Sequence, residues 1–399
     1  MVQKLNECIS KYLYFSLLNN KDPEMENELK TTDRIYSLDA LRGIMMILGI
    51  VLHSSESYNV GGDYIWPKDP SAQHVLMNYI NLTIHIFRMP IFFLIAGFFG
   101  ALLFYEKGPA QMLQNRLKRI IIPFIVFLLI LSPVILLALD YTASAFGTSL
   151  DGISTRVTFL PKITYHLWFL YYLILITGIT FFLATLLKYS PSFTRRITTA
   201  FEWLIRNRVS AILLFSLAIF LMLVWMWDLW APTPLSFVPE YKVLIFYGIF
   251  YWFGWTFYKS KHLLSELKKN DKLYAILALT IFTLKFFFSS YIDDVLDGTL
   301  NAIVSWLFIF GISGLFIRYS SHHSHQMRYI SDSSYWVYLI HLPLTIFIPG
   351  LIAHWALPSF IKFLIVMAST SVICFMSYHY LVRGSFIGQF LNGRRYSRK

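Results

Sequence analysis

Long uninterrupted apolar runs constrain the fold of this chain more than any other feature. The stretches 120–139, 167–187 and 211–227 contain no charged residue. A helix needs roughly 20 apolar residues to cross a hydrocarbon core about 30 Å thick. Only 14% of the 399 residues are charged, whereas a soluble domain has about 25%. The sequence therefore predicts an all-α, polytopic integral membrane protein.

Charged and Pro- or Gly-containing breaks divide the apolar sequence into about ten candidate transmembrane helices. They form one predicted transmembrane domain over 36–382, preceded by a tail over 1–35 and followed by a basic tail over 383–399. The candidate spans lie near 36–57, 75–104, 120–139, 165–187, 209–227, 242–258, 273–290, 299–318, 333–352 and 360–381.

Lys and Arg residues are distributed unevenly between the two sets of loops. One set, together with the C-terminal tail, carries most of them, and the opposite set holds only Lys68, Arg156, Lys162, Lys242 and Lys362. Cytoplasmic loops are enriched in Lys and Arg. We therefore expect an even number of spans with both termini in the cytoplasm. The net charge of +12 then reflects membrane topology, and no nucleic-acid partner is expected.

The first span contains three polar side chains that lipid would not accommodate. Asp39 and Arg42 are three residues apart and share one helical face. His53 follows Arg42 by eleven residues, which is about 16 Å along the helix axis. Such groups inside spans are costly and usually functional. An Asp–Arg pair that ties two helices together is the alternative for Arg42.

The second span carries His85 and Arg88, again three residues apart, followed by Pro90. An arginine at this depth must face the bundle interior or a wet cavity. Its structural alternative is to cap backbone carbonyls that the proline leaves unpaired.

Two further histidines lie within or at the edge of spans. His341 is well inside the ninth span, where an ordinary structural role is hard to justify. His166 opens the fourth span beside Trp168, where it is either functional or part of an interfacial aromatic belt. Lys285, near the far end of the seventh span, has acidic partners available in the next loop, among them Asp297.

Arg116 and Arg119 immediately precede the third span on the predicted cytoplasmic side. Taken alone, this cluster is best explained as a positive-inside anchor. It could also hold the phosphates of a nucleotide-bearing donor, since arginine forms a bidentate fork with phosphate. The sequence has no Gly-rich phosphate loop, no HExxH and no GxSxG motif. We expect no bound metal.

Together these segments resemble the membrane acyltransferase-3 family. Arg42 and His53, separated by ten residues within a segment that begins Ser-Leu-Asp-Ala-Leu-Arg-Gly, match its first basic motif, and Arg116-x-x-Arg119 matches its second. Segments similar to the glucan biosynthesis protein C branch are His85-Ile-Phe-Arg-Met-Pro, His166-Leu-Trp-Phe-Leu and Tyr338-Leu-Ile-His-Leu-Pro. The resemblance covers about 36–381.

The resemblance implies an enzyme of the bacterial inner membrane that moves an acyl group from cytoplasmic acyl-CoA to a hydroxyl of a periplasmic or cell-surface glycan. Succinyl-CoA or acetyl-CoA would be a co-substrate, and no tightly bound cofactor is expected. His53 would be the catalytic base, or would itself accept the acyl group. The supporting residues would be Asp39, His166 and His341, and the CoA phosphates would meet Arg42, Arg116 and Arg119.

His85, Arg88 and Trp168 are the expected acyl and acceptor pocket. We expect Arg88 to receive the distal carboxylate of a succinyl group, because an acetyl group would give this buried cation no partner. Replacing Arg88 should then reduce succinyl transfer far more than acetyl transfer.

A secondary transporter is the alternative function, with His53, Arg88 and His341 as a substrate or proton pathway. That hypothesis gives no reason for arginines at a cytoplasmic mouth about one pantetheine length from a histidine. A membrane scaffold would leave the intramembrane charges unexplained. We therefore favour the enzyme.

Overall fold

The computed structural model describes residues 35–61, 66–148 and 160–393. In this part of the chain all regular secondary structure is helical, which confirms the predicted all-α class. The predicted tail over 1–35 and the last residues of the basic tail lie almost wholly outside the described residues.

The described residues form thirteen α-helices. Three short π-helical turns accompany them. Leu103–Lys107 and Tyr378–Val382 each extend the preceding α-helix, and Leu117–Ile121 joins two consecutive α-helices. The α-helices are α1 Tyr36–Glu56, α2 Val75–Leu102, α3 Pro109–Arg116, α4 Ile122–Phe146, α5 Trp168–Leu187, α6 Pro191–Arg206, α7 Arg208–Met226, α8 Tyr241–Lys259, α9 Asp271–Phe287, α10 Asp294–Tyr319, α11 His325–Leu351, α12 Ser359–Ser377 and α13 Phe386–Asn392.

Eight helical segments of the described chain are long and apolar enough to cross a membrane. They contain α1, α2, α4, α5, α7, α10, α11 and α12. The predicted sixth and seventh spans are helices too, α8 and α9. However, α9 has only 17 residues, and the tyrosines and tryptophans of α8 lower its mean hydropathy. The count of ten and the side of the termini stay predictions.

Helix α6 lies where the sequence predicted only a basic loop. Its Phe201 and Ile205 are buried, and the Phe201 ring contacts the ring of Phe253 on α8 with centroids 5.0 Å apart. Arg195 and Arg206 on the same helix are exposed. An apolar stripe opposite cationic residues is typical of a helix that lies on a membrane surface.

Helices α2 and α8 cross at two glycines. A Cβ atom on Gly97 would collide with the carbonyl oxygen of Tyr251, and one on Gly254 would collide with that of Leu94. Small residues allow transmembrane helix backbones to approach this closely. This crossing fixes α2, which carries His85 and Arg88, against the bundle.

Candidate active site

Three imidazole rings from three segments form one cluster. The ring centroids of His53 on α1 and His341 on α11 are 5.3 Å apart, and those of His166 and His341 are also 5.3 Å apart. His166 belongs to the short 3-10 turn that precedes α5. Residues more than 100 positions apart are therefore brought together, as the sequence predicted for a shared site.

Gly49 makes room for this cluster one helical turn before His53. A Cβ atom built on Gly49 would lie 3.0 Å from His341 Nε2 and 3.5 Å from both terminal nitrogens of Arg88. The backbone of α1 therefore lies against both side chains, and His341 and Arg88 approach the same point.

The hydrogen bonds of His341 fix its tautomer. Its Nδ1 lies 2.7 Å from the carbonyl oxygen of Tyr338 and 3.1 Å from that of Val337. Carbonyl oxygens only accept, so Nδ1 carries the hydrogen and in the neutral ring Nε2 presents a lone pair. That Nε2 is buried and has no hydrogen-bond partner among the described residues.

A proline fixes the orientation of His166. Pro343 has no N–H to bond the carbonyl of Leu339 four residues earlier, and His166 Nε2 donates to that oxygen at 3.1 Å. His166 Nδ1 is then the lone-pair nitrogen. It too is buried without a partner in the described part of the chain.

Arg88 is a buried cation, with 7% of its surface exposed. It forms no ion pair or hydrogen bond with a described residue. The alternative that it caps the carbonyl freed by Pro90 does not apply, because Ser305 Oγ donates to that carbonyl, Ile86 O, at 3.2 Å. Removing an arginine from water without a partner is unfavourable, so this site suits an anionic group.

A cavity of about 390 Å³ brings half of the predicted site residues together. His53, His85, Arg88, His166 and Trp168 all line it. The structure groups these residues as the sequence predicted, while His341 packs against His53 and His166 without lining the cavity. Their individual roles stay predictions.

Glu56 and Asn81 also line the cavity, and the sequence reasoning missed both. Glu56 Oε1 accepts a hydrogen bond from Asn81 Nδ2 at 2.8 Å, and Lys68 Nζ lies 3.6 Å from Glu56 Oε2. Glu56 follows His53 by three residues on the same helix, which places both on one face. That spacing was the available signal.

The segment 227–240 between α7 and α8, here called the strap, contributes Trp230 to the cavity wall. Side chains from four parts of the bundle donate hydrogen bonds to strap carbonyls. The pairs are Asn301 to Leu229, His85 to Ala231, Tyr247 to Pro232, Thr164 to Leu235 and Tyr171 to Phe237. His85 Nε2 therefore carries the hydrogen in its bond to Ala231, so His85 positions the strap as well as lining the cavity.

Lys285 and Asp297 hold Trp230 in this wall. Lys285 Nζ lies 2.9 Å from Asp297 Oδ1 and 4.2 Å from the centroid of the Trp230 ring. Asn301 Nδ2 donates to Asp297 Oδ2 at 3.0 Å and so completes the group. The predicted pairing of Lys285 with the following acidic loop is confirmed. A desolvated ammonium over an indole face is a strong cation–π contact.

Arg42 and Arg116 meet at the other end of α1. Arg42 lies 3.2 Å from Asp39 Oδ1 and 5.5 Å from the centroid of the Phe99 ring. Arg116 NH2 would lie 3.2 Å from a Cβ on Gly100, the residue after Phe99. Both guanidinium groups therefore approach one turn of α2. The Nε of Arg116 is buried without a partner among the described residues.

Arg119 is not part of that pair of guanidinium groups. Its NH1 donates to the carbonyl oxygens of Gln389 and Phe390 on α13, at 3.3 Å each. Cationic side chains stabilise helix C-terminal carbonyls in this way. Of the three arginines predicted to bind the donor, Arg42 and Arg116 are the ones placed together.

Comparison with known proteins identifies the family. The acyltransferase-3 family profile, described as an acyltransferase domain, matches residues 35–379. Glucans biosynthesis protein C of Escherichia coli (strain SMS-3-5 / SECEC) is 24% identical over 338 residues, covering 81% of this chain and 86% of that protein. The protein of that name from Salmonella schwarzengrund (strain CVM19633) is 31% identical over 149 residues, covering 37% of this chain and 38% of that protein. No solved structure gives a significant match.

The matched region includes every segment that contributes to the cavity. It contains all eight helical segments that can cross a membrane except the last residues of the eighth. The transporter alternative consequently loses its support. The chain belongs to the acyltransferase-3 family and is a multi-pass membrane acyltransferase.

Proposed function

We propose that the protein transfers an acyl group, succinyl or acetyl, from cytoplasmic acyl-CoA to a hydroxyl of a periplasmic or cell-surface glycan. It would do so in the bacterial inner membrane, with the Lys- and Arg-rich loops in the cytoplasm. Acyl-CoA is a co-substrate in this proposal and no cofactor is tightly bound. The similarity to glucan biosynthesis proteins supports a glycan acceptor.

The observation that carries the proposal is the grouping of His53, His166 and Arg88 at one cavity near the end of α1, with His341 packed against both histidines. Arg42 lies towards the other end of α1, where Arg116, the last residue of α3, approaches the same turn of α2. The axial separation of Arg42 and His53 is about 16 Å, which an extended pantetheine arm spans. The CoA phosphates would contact the two arginines while the thioester reaches the histidines.

His53 is the base in the proposed reaction. It accepts the proton of the sugar hydroxyl, the hydroxyl oxygen bonds to the thioester carbonyl carbon, and the carbonyl becomes a tetrahedral oxyanion. Collapse of this intermediate breaks the carbon–sulfur bond, and the proton held by His53 passes to the departing CoA thiolate. Imidazole suits both transfers because its ordinary pKa lies near working pH. His341 packs directly against the His53 ring, and His166 packs against His341 from another side.

Arg88 would bind the distal carboxylate of a succinyl group. Its burial and its lack of an anionic partner among the described residues support this role. Glu56 and Asn81 contribute hydrogen-bonding groups to the same cavity, where a sugar hydroxyl would bind. Trp168 and Trp230 provide apolar faces, as expected of a pocket for a sugar ring.

The decisive experiment compares His53→Ala with His354→Ala, an exposed histidine outside the cavity. Each variant would be expressed in a strain that lacks the gene, its membrane abundance measured, and the cell glycans analysed by mass spectrometry. We expect His53→Ala to lose the acyl mass shift and His354→Ala to retain it. Unchanged acyl content in His53→Ala would refute the proposal, and the mass that disappears identifies the acyl group.

A further inference from the structure

A second cavity, of about 800 Å³, opens between the ends of α5 and α8 with α6 at its mouth. It shares no lining residue with the cavity at His53. Its inner wall is apolar and includes Leu183, Ala184 and Leu187, with Trp252 and Trp255 opposite. A hollow this large, distinct from the reaction site, has no role in the proposed acyl transfer.

Three cations line the mouth of this cavity, namely Lys188, Arg195 and Lys259. Lys188 Nζ lies 4.9 Å from the ring centroid of Phe104, and Lys259 Nζ lies 4.8 Å from that of Tyr105. These two rings are neighbours with centroids 5.1 Å apart. Two ammonium groups are therefore held against one pair of neighbouring aromatic rings.

No carboxylate among the described residues forms an ion pair with these three cations. Glu202 is the one acidic residue that lines the described cavity. It is engaged elsewhere, because it accepts a hydrogen bond from Ser260 Oγ at 3.2 Å and lies 3.8 Å from His262 Nε2. With three cations and one carboxylate in its lining, the cavity carries an excess of positive charge.

The apolar wall points to an amphiphilic ligand rather than to a water-soluble anion. Leu183 and Ile197 line the cavity and remain 42% and 41% exposed, which in a membrane means contact with lipid chains. Trp252 Nε1 donates to Thr180 Oγ1 at 2.8 Å, and tryptophans concentrate at the membrane–water interface. Basic pockets between transmembrane helices on the cytoplasmic side bind anionic lipid head groups.

We propose that this cavity is a binding site for one anionic phospholipid. Its phosphate contacts Lys188, Arg195 and Lys259, and one acyl chain lies along Leu183 and Leu187. The inference is independent of the acyl-transfer chemistry. It favours a lipid over the soluble acyl donor because the apolar wall opens sideways to the hydrocarbon, whereas acyl-CoA arrives from water.

The test measures lipid binding to the purified full chain by native mass spectrometry in detergent. Phosphatidylglycerol and phosphatidylcholine of identical acyl chains are titrated separately. We expect one phosphatidylglycerol molecule to bind preferentially to the wild type. In a Lys188→Gln, Arg195→Gln, Lys259→Gln variant its affinity should fall on the order of a hundred-fold, because each cation near an anionic head group contributes roughly five-fold.

The matched control is Arg196→Gln, Arg206→Gln, Lys272→Gln, which removes the same charge from exposed positions outside the cavity. It should bind phosphatidylglycerol like the wild type. Equal binding of the two lipids, or equal losses in both triple variants, would overturn the proposal. Displacement of bound phosphatidylglycerol by acyl-CoA would also overturn it, by assigning the cavity to the acyl donor.

Discussion

The backbone of Gly49 lies directly against His341 Nε2, since a Cβ at Gly49 would be only 3.0 Å from that nitrogen. Such a contact is tighter than side chains normally adopt, so the His341 ring must shift by a few tenths of an ångström if a methyl group is added, whereas Arg88 at 3.5 Å is in ordinary contact. Because these groups surround His53, the position of Gly49 controls the geometry of the proposed reaction site.

We therefore expect Gly49→Ala to lower acyl transfer roughly three- to ten-fold, since a 1 Å misplacement costs about 100-fold and the shift needed here is a few tenths of an ångström. Alanine favours helix more than glycine, so membrane abundance should be unchanged. Gly178→Ala on α5 is the matched control, because nothing lies within 4 Å of its added Cβ. Equal activity of the two variants would contradict the assigned geometry.

Arg88→Gln tests whether the buried cation distinguishes a succinyl group from an acetyl group. Truncating one partner of a buried charge pair costs on the order of a hundred-fold in affinity. We expect that loss with succinyl-CoA and less than about a five-fold loss with acetyl-CoA, measured as initial rates in proteoliposomes. Equal losses with both donors would mean that Arg88 acts on the thioester carbonyl, which is common to both, and not on a distal carboxylate.

Local spacing explains why much of this site could be predicted from the sequence. His85 and Arg88 are three residues apart on one helix, so any structure that keeps α2 places them on one face. The same holds for Asp39 and Arg42, which do form the ion pair that their spacing indicates. The ion pair of Lys285 could be predicted because an acidic residue follows it after one short loop, and the structure forms this pair with Asp297.

Contacts between distant segments could not be predicted in this way. The bond from His85 to Ala231 joins residues 146 positions apart, and no local pattern marks 227–240 as a strap over the cavity. Arg119 fits a basic motif, yet its guanidinium binds α13 because the C-terminal chain returns to it. Helix α6 was missed for another reason: its charged residues masked the short apolar stripe with Phe201 and Ile205.

Trp230→Ala tests the strap as the acceptor side of the cavity. If a sugar ring stacks on this indole, the KM for the glycan acceptor should rise roughly ten-fold, a typical loss for one aromatic contact. Donor hydrolysis without acceptor should be unchanged. Trp225→Ala is the matched control, because Trp225 also lies beneath an ammonium group, with Lys242 Nζ 5.2 Å from its ring, but does not line the cavity.

Lys285→Met tests the same part of the cavity wall without changing a residue that lines the cavity. The substitution removes the cation that holds Trp230, and Lys285 itself does not contact a substrate. We therefore expect the acceptor KM to rise, as in Trp230→Ala, while kcat is retained. A Trp230 variant that lowers kcat and leaves the acceptor KM unchanged would refute the acceptor-side assignment, whereas the acyltransferase activity itself would still stand on the His53 result.

A last prediction concerns stability and rests on a buried ion pair whose two residues do not line the cavity. Lys362 Nζ on α12 lies 2.7 Å from Asp69 Oδ2, and both side chains are almost completely buried. From the sequence, Lys362 was counted as an ordinary loop cation. In the structure the ion pair joins the segment after α1 to α12. Asp69 also accepts hydrogen bonds from Ser71. Removing one partner leaves the other charge buried and unpaired.

Lys362→Met should therefore lower the free energy of unfolding by about 3–5 kcal/mol. The double variant Lys362→Met, Asp69→Leu should recover most of this loss, because apolar residues of similar size can often replace a buried ion pair. Thermal unfolding in detergent, followed by loss of monodisperse protein, measures both variants. Lys242→Met is the control for loss of a lysine on the same set of loops. A double variant as unstable as Lys362→Met would show that the unpaired carboxylate is not the cause.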